Sequence, residues 1–295
     1  MSNKQFFINR YRKMGWTFKE VKLKQSIRIN TMIEKKAFVL SRLESLGVDL
    51  EKIPFLRNGY WIKNSNFSVG ATTEYLLGLY SIQEAASQIP VTLFNKLKNK
   101  IVLDSCASPG GKTVQLANLM NNSSIIVALE LKKRKMFALT NQLERCRVKN
   151  SAVYNLDARE ATKLNMKFDC VLLDVPCSGN PVTDRQWFNK RTSEDILRNS
   201  RRQRQILTEA VNVTKNNGEI VYSTCSLEPE ENEFNINWAL KTFNVKVEDI
   251  DCYGEKGLTN IFGKKLHPSI EKCRRIWPDI TQGFFLCKLK KVGQK

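Results

Sequence analysis

The chain has 295 residues, of which 42% are hydrophobic, so it can bury a core and is neither disordered nor fibrous. With 48 Lys and Arg against 29 Asp and Glu, its formal net charge is +19, with basic clusters at 132–135, 198–204 and 272–275. These clusters favour a nucleic acid partner over a basic surface that is merely solvated. No apolar run is long enough for a membrane span and the N-terminus lacks a secretory-signal pattern, so a cytoplasmic protein is expected.

Residues 1–70 predict a small α+β module. Residues 26–31 alternate like a strand, 34–46 have a helical pattern that ends at Gly47, and 60–63 form a second strand candidate. We expect the remaining residues, 71–295, to form a separate catalytic domain.

From about residue 100, short apolar runs alternate with helical patterns, which predicts an α/β fold with a mainly parallel sheet. The predicted strands are 101–104, 125–130, 152–155, 168–174, 219–223 and a final edge strand at 283–289. The predicted helices are 113–120, 132–146 and 192–215, and Asn217-Gly218 is expected to end the last of them.

A Gly-rich turn follows the first of these strands, in the stretch IVLDSCASPGGKT at 101–113. Gly110 and Gly111 allow close approach of a ligand to the backbone, at the strand end where open α/β sheets bind nucleotides. A P-loop is the obvious alternative, but Cys106 stands where that motif requires Gly. Glu130 and Asp157 follow the next two strands, and acids at such positions typically bind ribose and base. The set predicts a nucleotide-type cofactor site.

Two of the eight cysteines, Cys177 and Cys225, come just after predicted strands, in DVPCSG and STCS. Because parallel strands share one carboxyl edge, both thiols are expected to face the same crevice as the Gly-rich turn. The chain has no C-x-x-C pair and a single histidine, His267, so no metal site and no His-based catalysis are expected.

A cofactor loop and two thiols on a basic protein point to methylation of a pyrimidine at C5. That carbon is a weak nucleophile until a thiolate adds at C6, after which it can attack an activated methyl group. Loss of the C5 proton and elimination of the thiol restore the aromatic ring.

The motifs CASPGGKT, DVPCSG and STCSLEPEENE resemble those of the SUN-type (NSUN/Fmu) family of S-adenosylmethionine-dependent RNA cytosine-5 methyltransferases. Further similarities are RINT at 28–31, QEAASQIP at 83–90 and GFF at 283–285, so the resemblance covers nearly the whole chain. It implies a Rossmann-like methyltransferase fold with a seven-stranded sheet and helices on both faces, and an N-terminal module that contacts RNA. The compact chain is similar to archaeal tRNA-modifying members, which implies tRNA as the substrate and a monomer.

The resemblance also implies roles for individual residues. Cys225 corresponds to the nucleophile, Cys177 to the cysteine that assists product release, and Asp174 to the aspartate beside the target base and the methyl group. The residues corresponding to cofactor ligands, besides Asp174, are Cys106, Ala107, Ser108, Pro109, Gly110, Gly111, Lys112, Glu130, Lys135 and Asp157.

Three positions depart from the family pattern: Ser108 replaces a frequent Ala, Pro181 follows the PCSG motif, and Asp279 replaces the usual His of an Arg-x-x-Pro-His element. Three alternatives stay open at this point. They are rRNA as the substrate, a non-catalytic RNA-binding factor on the same fold, and a DNA cytosine methyltransferase with Cys177 as its nucleophile. The last leaves Cys225 without a role.

Overall fold

The computed structural model describes residues 2–293. The α-helices are α1 (Asn3–Lys13), α2 (Lys36–Ser45), α3 (Thr73–Leu76), α4 (Ile89–Thr92), α5 (Gly111–Leu119), α6 (Lys133–Arg145), α7 (Trp187–Lys190), α8 (Ser193–Val213) and α9 (Glu233–Thr242). The strands are β1 (Ser26–Ile29), β2 (Asp49–Lys52), β3 (Gly59–Asn64), β4 (Tyr80–Ile82), β5 (Ile101–Asp104), β6 (Ile125–Leu129), β7 (Ser151–Tyr154), β8 (Phe168–Asp174), β9 (Thr214–Thr224), β10 (Val245–Glu248), β11 (Glu255–Lys256), β12 (Asn260–Ile261), β13 (Lys264–Lys265), β14 (Arg274–Ile276) and β15 (Phe284–Lys291). No helix in the described part of the chain is long and apolar enough to cross a membrane.

The larger sheet has a parallel half and an antiparallel half. Strands β7, β6, β5, β8 and β9 lie side by side and parallel, and β15 then pairs antiparallel with β9. Both faces are covered, because Val171 and Leu173 pack with α8 and α9 while Cys170 and Leu172 pack with α4 and α5. This alternation is what the apolar run at 168–174 requires of a central strand.

The C-terminal strand β15 is not the edge strand that the sequence predicted. One side of it pairs with β9, and the other side pairs with β14 near residue 285 and with β10 near residue 289. Its first six residues are buried, as expected for an interior strand. Because β15 has eight residues, two short strands fit along one side, and with β11 added the sheet has nine strands rather than seven.

A separate four-stranded antiparallel sheet forms the N-terminal part, in the order β2-β3-β1-β4. Its apolar face packs against α2 through residues such as Val39 and Leu43. The strand β4 lies beyond residue 70, where the sequence placed the boundary of this module. Hydrogen bonds link this N-terminal part to the rest of the chain; for example, Arg28 donates to the carbonyl of Gly111 (2.9 Å), and Asn30, just after β1, donates to that of Cys146 (3.1 Å).

Helix α8 begins with a capping box formed by Thr192 and Asp195, and it ends earlier than predicted. The chain leaves the helix at Thr214, which is extended and already pairs with Phe168 of β8. Asn217, with a φ of 61°, therefore lies in an irregular part of β9 instead of ending the helix.

Helix α1 was not predicted from the sequence. It packs against the segment around Trp187, which follows Cys177, the first of the two candidate catalytic cysteines. The ring of Phe7 lies 4.7 Å from that of Trp187. Arg10 forms ion pairs with Glu228 (3.1 Å) and Glu230 (2.7 Å), two acids of the LEPEENE motif. The helix therefore ties this motif to the loop around Trp187.

The buried carboxyl of Glu228 predicts a pH dependence of stability. Burial raises the pKa of Glu228 to about 7, although Arg10 acts in the opposite direction. Its pKa in the unfolded chain is about 4.3, so folding takes up a proton between these values and the free energy of unfolding falls as pH rises from about 4.5 to 7. Glu228→Gln removes this titration, so the free energy of unfolding should decrease by roughly 1–3 kcal/mol less over this pH range than in the wild type. Urea unfolding at each pH measures the difference. Glu230→Gln is the control, and an equal flattening in both variants would contradict the assignment.

Candidate active site

The loop between β5 and α5 has the geometry of a ligand cradle. Gly110 has a φ of 105°, and a Cβ there would lie 3.1 Å from Leu139 of α6, so a side chain is disfavoured both by the backbone and by α6. The buried Asp104 accepts a hydrogen bond from the Thr113 hydroxyl (2.7 Å), which fixes the strand end to the first turn of α5. Burial raises the pKa of Asp104 to about 6.

A cavity of about 460 Å³ opens at the carboxyl edge of the parallel strands beside this loop. Eight of the thirteen predicted site residues line it: Cys106, Ser108, Glu130, Lys135, Asp157, Asp174, Cys177 and Cys225. The other five belong to the same loop or to the start of α5 and are not among the lining residues: Ala107, Pro109, Gly110, Gly111 and Lys112.

One end of the cavity carries the two acids predicted for ribose and adenine. Glu130 accepts a hydrogen bond from the backbone of Lys132 (2.7 Å). Asp157 accepts from the backbone of Arg159 (2.9 Å), and the Arg159 side chain lowers the pKa of Asp157. Arg202, from α8, lines the same cavity with its Nε buried and without a hydrogen-bond partner, so a donor is available there. Sequence reasoning noted Arg202 only as part of a basic cluster.

Asp174 is oriented by two donors at the end of β8. Lys112 Nζ lies 2.7 Å from one carboxylate oxygen, and the Ser223 hydroxyl donates to the other at 2.8 Å. Lys112 also donates to the Ser87 hydroxyl (3.0 Å), so the QEAASQIP segment helps to place it. The Lys112 charge therefore balances that of Asp174 directly beside the cavity.

The two cysteines predicted to share one crevice do so, with their Sγ atoms 3.3 Å apart and no disulfide between them. The hydrogen bond to Cys225, and then burial, raise the pKa of Cys177 well above its ordinary value. Cys177 is therefore held as a neutral thiol that can donate to the Cys225 sulfur. Burial likewise raises the pKa of Cys106, so that thiol is also neutral.

Buried polar residues fix the two cysteine loops relative to each other. Glu231 accepts from the backbone N–H of Ser178 (3.1 Å) and its hydroxyl (2.5 Å). Asn180 donates to the carbonyl of Cys225 (2.9 Å), and its own side-chain oxygen accepts from the backbone of Val182. Neither residue was singled out from the sequence, although Glu231 lies in the quoted LEPEENE motif and Asn180 directly precedes the unusual Pro181.

Two sequence features lie elsewhere than at this cavity. Asp279 does not line it and pairs with Lys19 at 3.3 Å on the surface. Arg275, assigned above to a basic cluster, is buried and bound to Glu233, so it is not available to a polyanion. Within residues 2–293, no group of three or more His, Cys, Asp and Glu side chains could hold a metal ion.

The cavity fits S-adenosylmethionine by the chemistry of its lining. Acids stand where hydroxyl and amine donors of a nucleoside need acceptors, Arg202 has a free donor, and the Gly110 turn leaves room beside the backbone. The two thiols, Cys177 and Cys225, and Asp174 line the same cavity. The fold and the site together define a Rossmann-like methyltransferase.

Comparison with known proteins identifies the family. A family model described as 16S rRNA methyltransferase RsmB/F matches residues 91–290, and a model of the N-terminal domain of 16S rRNA methyltransferase RsmF matches residues 4–85. The chain therefore belongs to the RsmB/F family, and the resemblance to SUN-type RNA cytosine-5 methyltransferases is confirmed.

Individual relatives agree with this family. The human 28S rRNA (cytosine(4447)-C(5))-methyltransferase is 34% identical over 284 residues, which cover 93% of this chain and 35% of the relative. A methyltransferase homolog protein from Pyrococcus horikoshii has a crystal structure with 35% identity and a TM-score of 0.87, covering 97% of this chain and 95% of that one. The structure of NSun6 from the same organism with SFG, an analogue of S-adenosylmethionine, has a TM-score of 0.82 at 22% identity and covers 99% and 95%.

The chain spans about a third of the length of the human relative and just over half of the length of bacterial ones. The predicted Rossmann-like methyltransferase fold is confirmed by the family and by these structures. The prediction of S-adenosylmethionine as the cofactor is confirmed by membership of this methyltransferase family.

Asp157→Ala should weaken binding of S-adenosylmethionine about 5- to 150-fold, because it leaves an adenine donor unpaired, at a cost of roughly 1–3 kcal/mol. Calorimetry with the purified protein measures this change. Glu160→Ala, which removes an exposed carboxylate three residues away, is the matched control and should have little effect. Equal losses in the two variants would show that Asp157 acts only through general charge.

Proposed function

We propose that this protein transfers a methyl group from S-adenosylmethionine to C5 of cytosine in RNA, through a covalent bond between Cys225 and C6. The observation that carries this proposal is the pair of thiols 3.3 Å apart in the same cavity as the cofactor acids. A non-catalytic RNA-binding factor would not need this arrangement.

The residues perform the reaction in a defined order. The Cys225 thiolate adds to C6, which turns C5 into a nucleophile. When bound, S-adenosylmethionine supplies an activated methyl group that C5 attacks; the C–C bond forms as the S–CH₃ bond breaks. A base then removes the C5 proton, the C6–S bond breaks, and the electron pair returns to Cys225. Cys177, a neutral thiol beside Cys225, assists this release.

The motif position favours Cys225 over Cys177 as the nucleophile, because Cys225 stands in the STCS motif, which corresponds to the nucleophile in the family that the chain resembles. The contact with Cys225 and burial raise the pKa of Cys177, which suits a neutral partner of an attacking thiolate. The contact between the two sulfurs also gives Cys177 a partner whose charge it can stabilise. The scheme with Cys177 as nucleophile, that of a DNA cytosine methyltransferase, gives Cys225 no such role.

The RNA is tRNA in our prediction, and rRNA is the second candidate. The resemblance to compact members favours tRNA, and the similar Pyrococcus horikoshii structures have nearly the same length as this chain. The names of the family model and of the human relative favour rRNA. Incubation of the full chain with S-adenosylmethionine and either tRNA or ribosomal subunits, followed by bisulfite sequencing, distinguishes the two. Absence of 5-methylcytosine in both would contradict the proposed function.

A further inference from the structure

A second cavity, of about 330 Å³, lies between the N-terminal sheet and α5, outside the catalytic cavity. Amide side chains, threonines and basic residues line it, and it contains no acidic side chain. We call it the amide cleft, and the residues used below are Arg28, Lys36, Arg57, Gln88, Gln115 and Asn118. No part of the mechanism above uses it.

The charge of the amide cleft suits an anion. Lys36 and Arg57 lie at its rim, and neither forms an ion pair with another residue in the described part of the chain. Arg28 is buried and donates to the Gln83 side chain (2.9 Å), so its positive charge has no acidic partner either. Lys36 and Arg57, which have no ion-pair partner in the described part of the chain, are therefore free to attract phosphate, and the buried Arg28 adds positive charge behind them.

The interior of the amide cleft offers a specific acceptor. Gln115 is 5% exposed, and its Nε2 donates to the carbonyl of Gln88 at 2.7 Å. Its Oε1 is buried and has no hydrogen-bond partner. Buried acceptors are rarely left unpaired, so this oxygen is suited to a ligand that carries an N–H donor. Nucleobases present such donors on their Watson–Crick edges.

The amide cleft is close to the catalytic cavity along α5. Gln115 lies one turn after Lys112, on the same face of the helix, and Leu119 continues that face. Two neighbouring residues of the QEAASQIP segment contact these two helix residues. The Ser87 hydroxyl accepts a hydrogen bond from Lys112, and the Gln88 carbonyl accepts one from Gln115. One strand of RNA could therefore occupy both sites at once.

We infer that the amide cleft binds one nucleotide of single-stranded RNA near the target cytosine. Lys36 and Arg57 hold the phosphate, and Gln115 Oε1 accepts a hydrogen bond from the base. The identity of the strand as the substrate rests on the proposed function, whereas binding of RNA by the cleft does not.

The test measures binding of a fluorescein-labelled 12-nucleotide single-stranded RNA to the full chain, by anisotropy at several salt concentrations. Each lost phosphate contact should reduce the slope of log K against log salt by about 0.7. Because Lys36 and Arg57 hold one phosphate, we expect Lys36→Gln with Arg57→Gln to weaken binding on the order of tenfold and to reduce the slope by about 0.7. The matched control is Lys35→Gln, an exposed neighbour outside the cleft, which should leave the slope unchanged.

A neutral substitution tests the base contact separately. Gln115→Leu should weaken binding severalfold and leave the salt slope unchanged, because it removes an acceptor and no charge. Binding of S-adenosylhomocysteine, measured by calorimetry, should stay at the wild-type value in every variant and so report an intact fold. Cleft variants that bind RNA like the wild type, or a slope reduction in Lys35→Gln equal to that of the double variant Lys36→Gln with Arg57→Gln, would overturn the inference.

These outcomes are separable from the proposed function, since anisotropy needs no cofactor and no turnover. A wild-type chain that fails to methylate RNA, with cleft variants that still lose binding as described, would refute the proposed function alone. Normal methylation by the wild type, with unaltered binding in the cleft variants, would refute the cleft alone.

Discussion

Cys177→Ala should accumulate a covalent protein–RNA adduct that survives denaturing gel electrophoresis. If Cys177 assists release, the variant still adds Cys225 to C6 and still transfers the methyl group, but the C6–S bond breaks slowly. The close contact of the two sulfurs places Cys177 where it can act on this step. The measurement is a mobility shift of the protein band in the presence of RNA and S-adenosylmethionine.

Cys225→Ala should abolish methylation and form no adduct, while its affinity for S-adenosylmethionine stays close to that of the wild type. The double variant should behave like Cys225→Ala, because the sulfur that bonds to C6 is gone. Cys146→Ala removes a buried thiol that does not line the catalytic cavity and serves as the control for loss of any cysteine. An adduct in Cys225→Ala and none in Cys177→Ala would reverse the two roles and support the DNA-type scheme.

Arg275→Met should lower the free energy of unfolding by roughly 3–5 kcal/mol, because it leaves a buried carboxylate without its partner. The Arg275 side chain is 1% exposed and that of Glu233 is fully buried, and the guanidinium also donates to the carbonyl of Leu227 (2.8 Å). Urea unfolding measures the loss.

Two further variants give this prediction its controls. Arg274→Met changes the neighbouring arginine, whose hydrogen bonds go to backbone carbonyls, and should cost less than about 1 kcal/mol. Arg275→Met combined with Glu233→Leu should recover most of the stability, because no charge is then left buried alone. A double variant as unstable as the single one would mean that packing, and not the charge of Glu233, causes the loss.

The parallel half of the sheet and the placement of the thiols were predictable from the sequence. Apart from Asp169 and Asp174, the strand at 168–174 is apolar, as expected for a strand that is covered on both faces, and it ends three residues before Cys177. Once two such strands are parallel, their carboxyl ends must meet at one edge. The shared position of Cys177 and Cys225 follows from that geometry.

The antiparallel half could not be predicted in the same way. Strand order depends on pairings between distant residues, such as Phe285 with Thr224, and no local pattern in 284–291 reveals how many neighbours that strand has. The short strands β10 and β14 exist because β15 offers them an edge. Side chains such as Asn180 and Arg202 acquire their roles only through contacts across the fold, so their local sequence gives no signal.

The central place of β15 has a consequence for the order of folding. Strand β9, which ends just before Cys225, has β8 on one side, and its other side pairs with residues 285–290 of β15. During synthesis, β9 therefore emerges from the ribosome before its second partner exists, with a row of unpaired backbone groups exposed. Chains that stop before residue 284 should aggregate through this open edge. The predicted nucleophile therefore follows directly after a strand whose pairing is complete only once residues 284–291 have been synthesised.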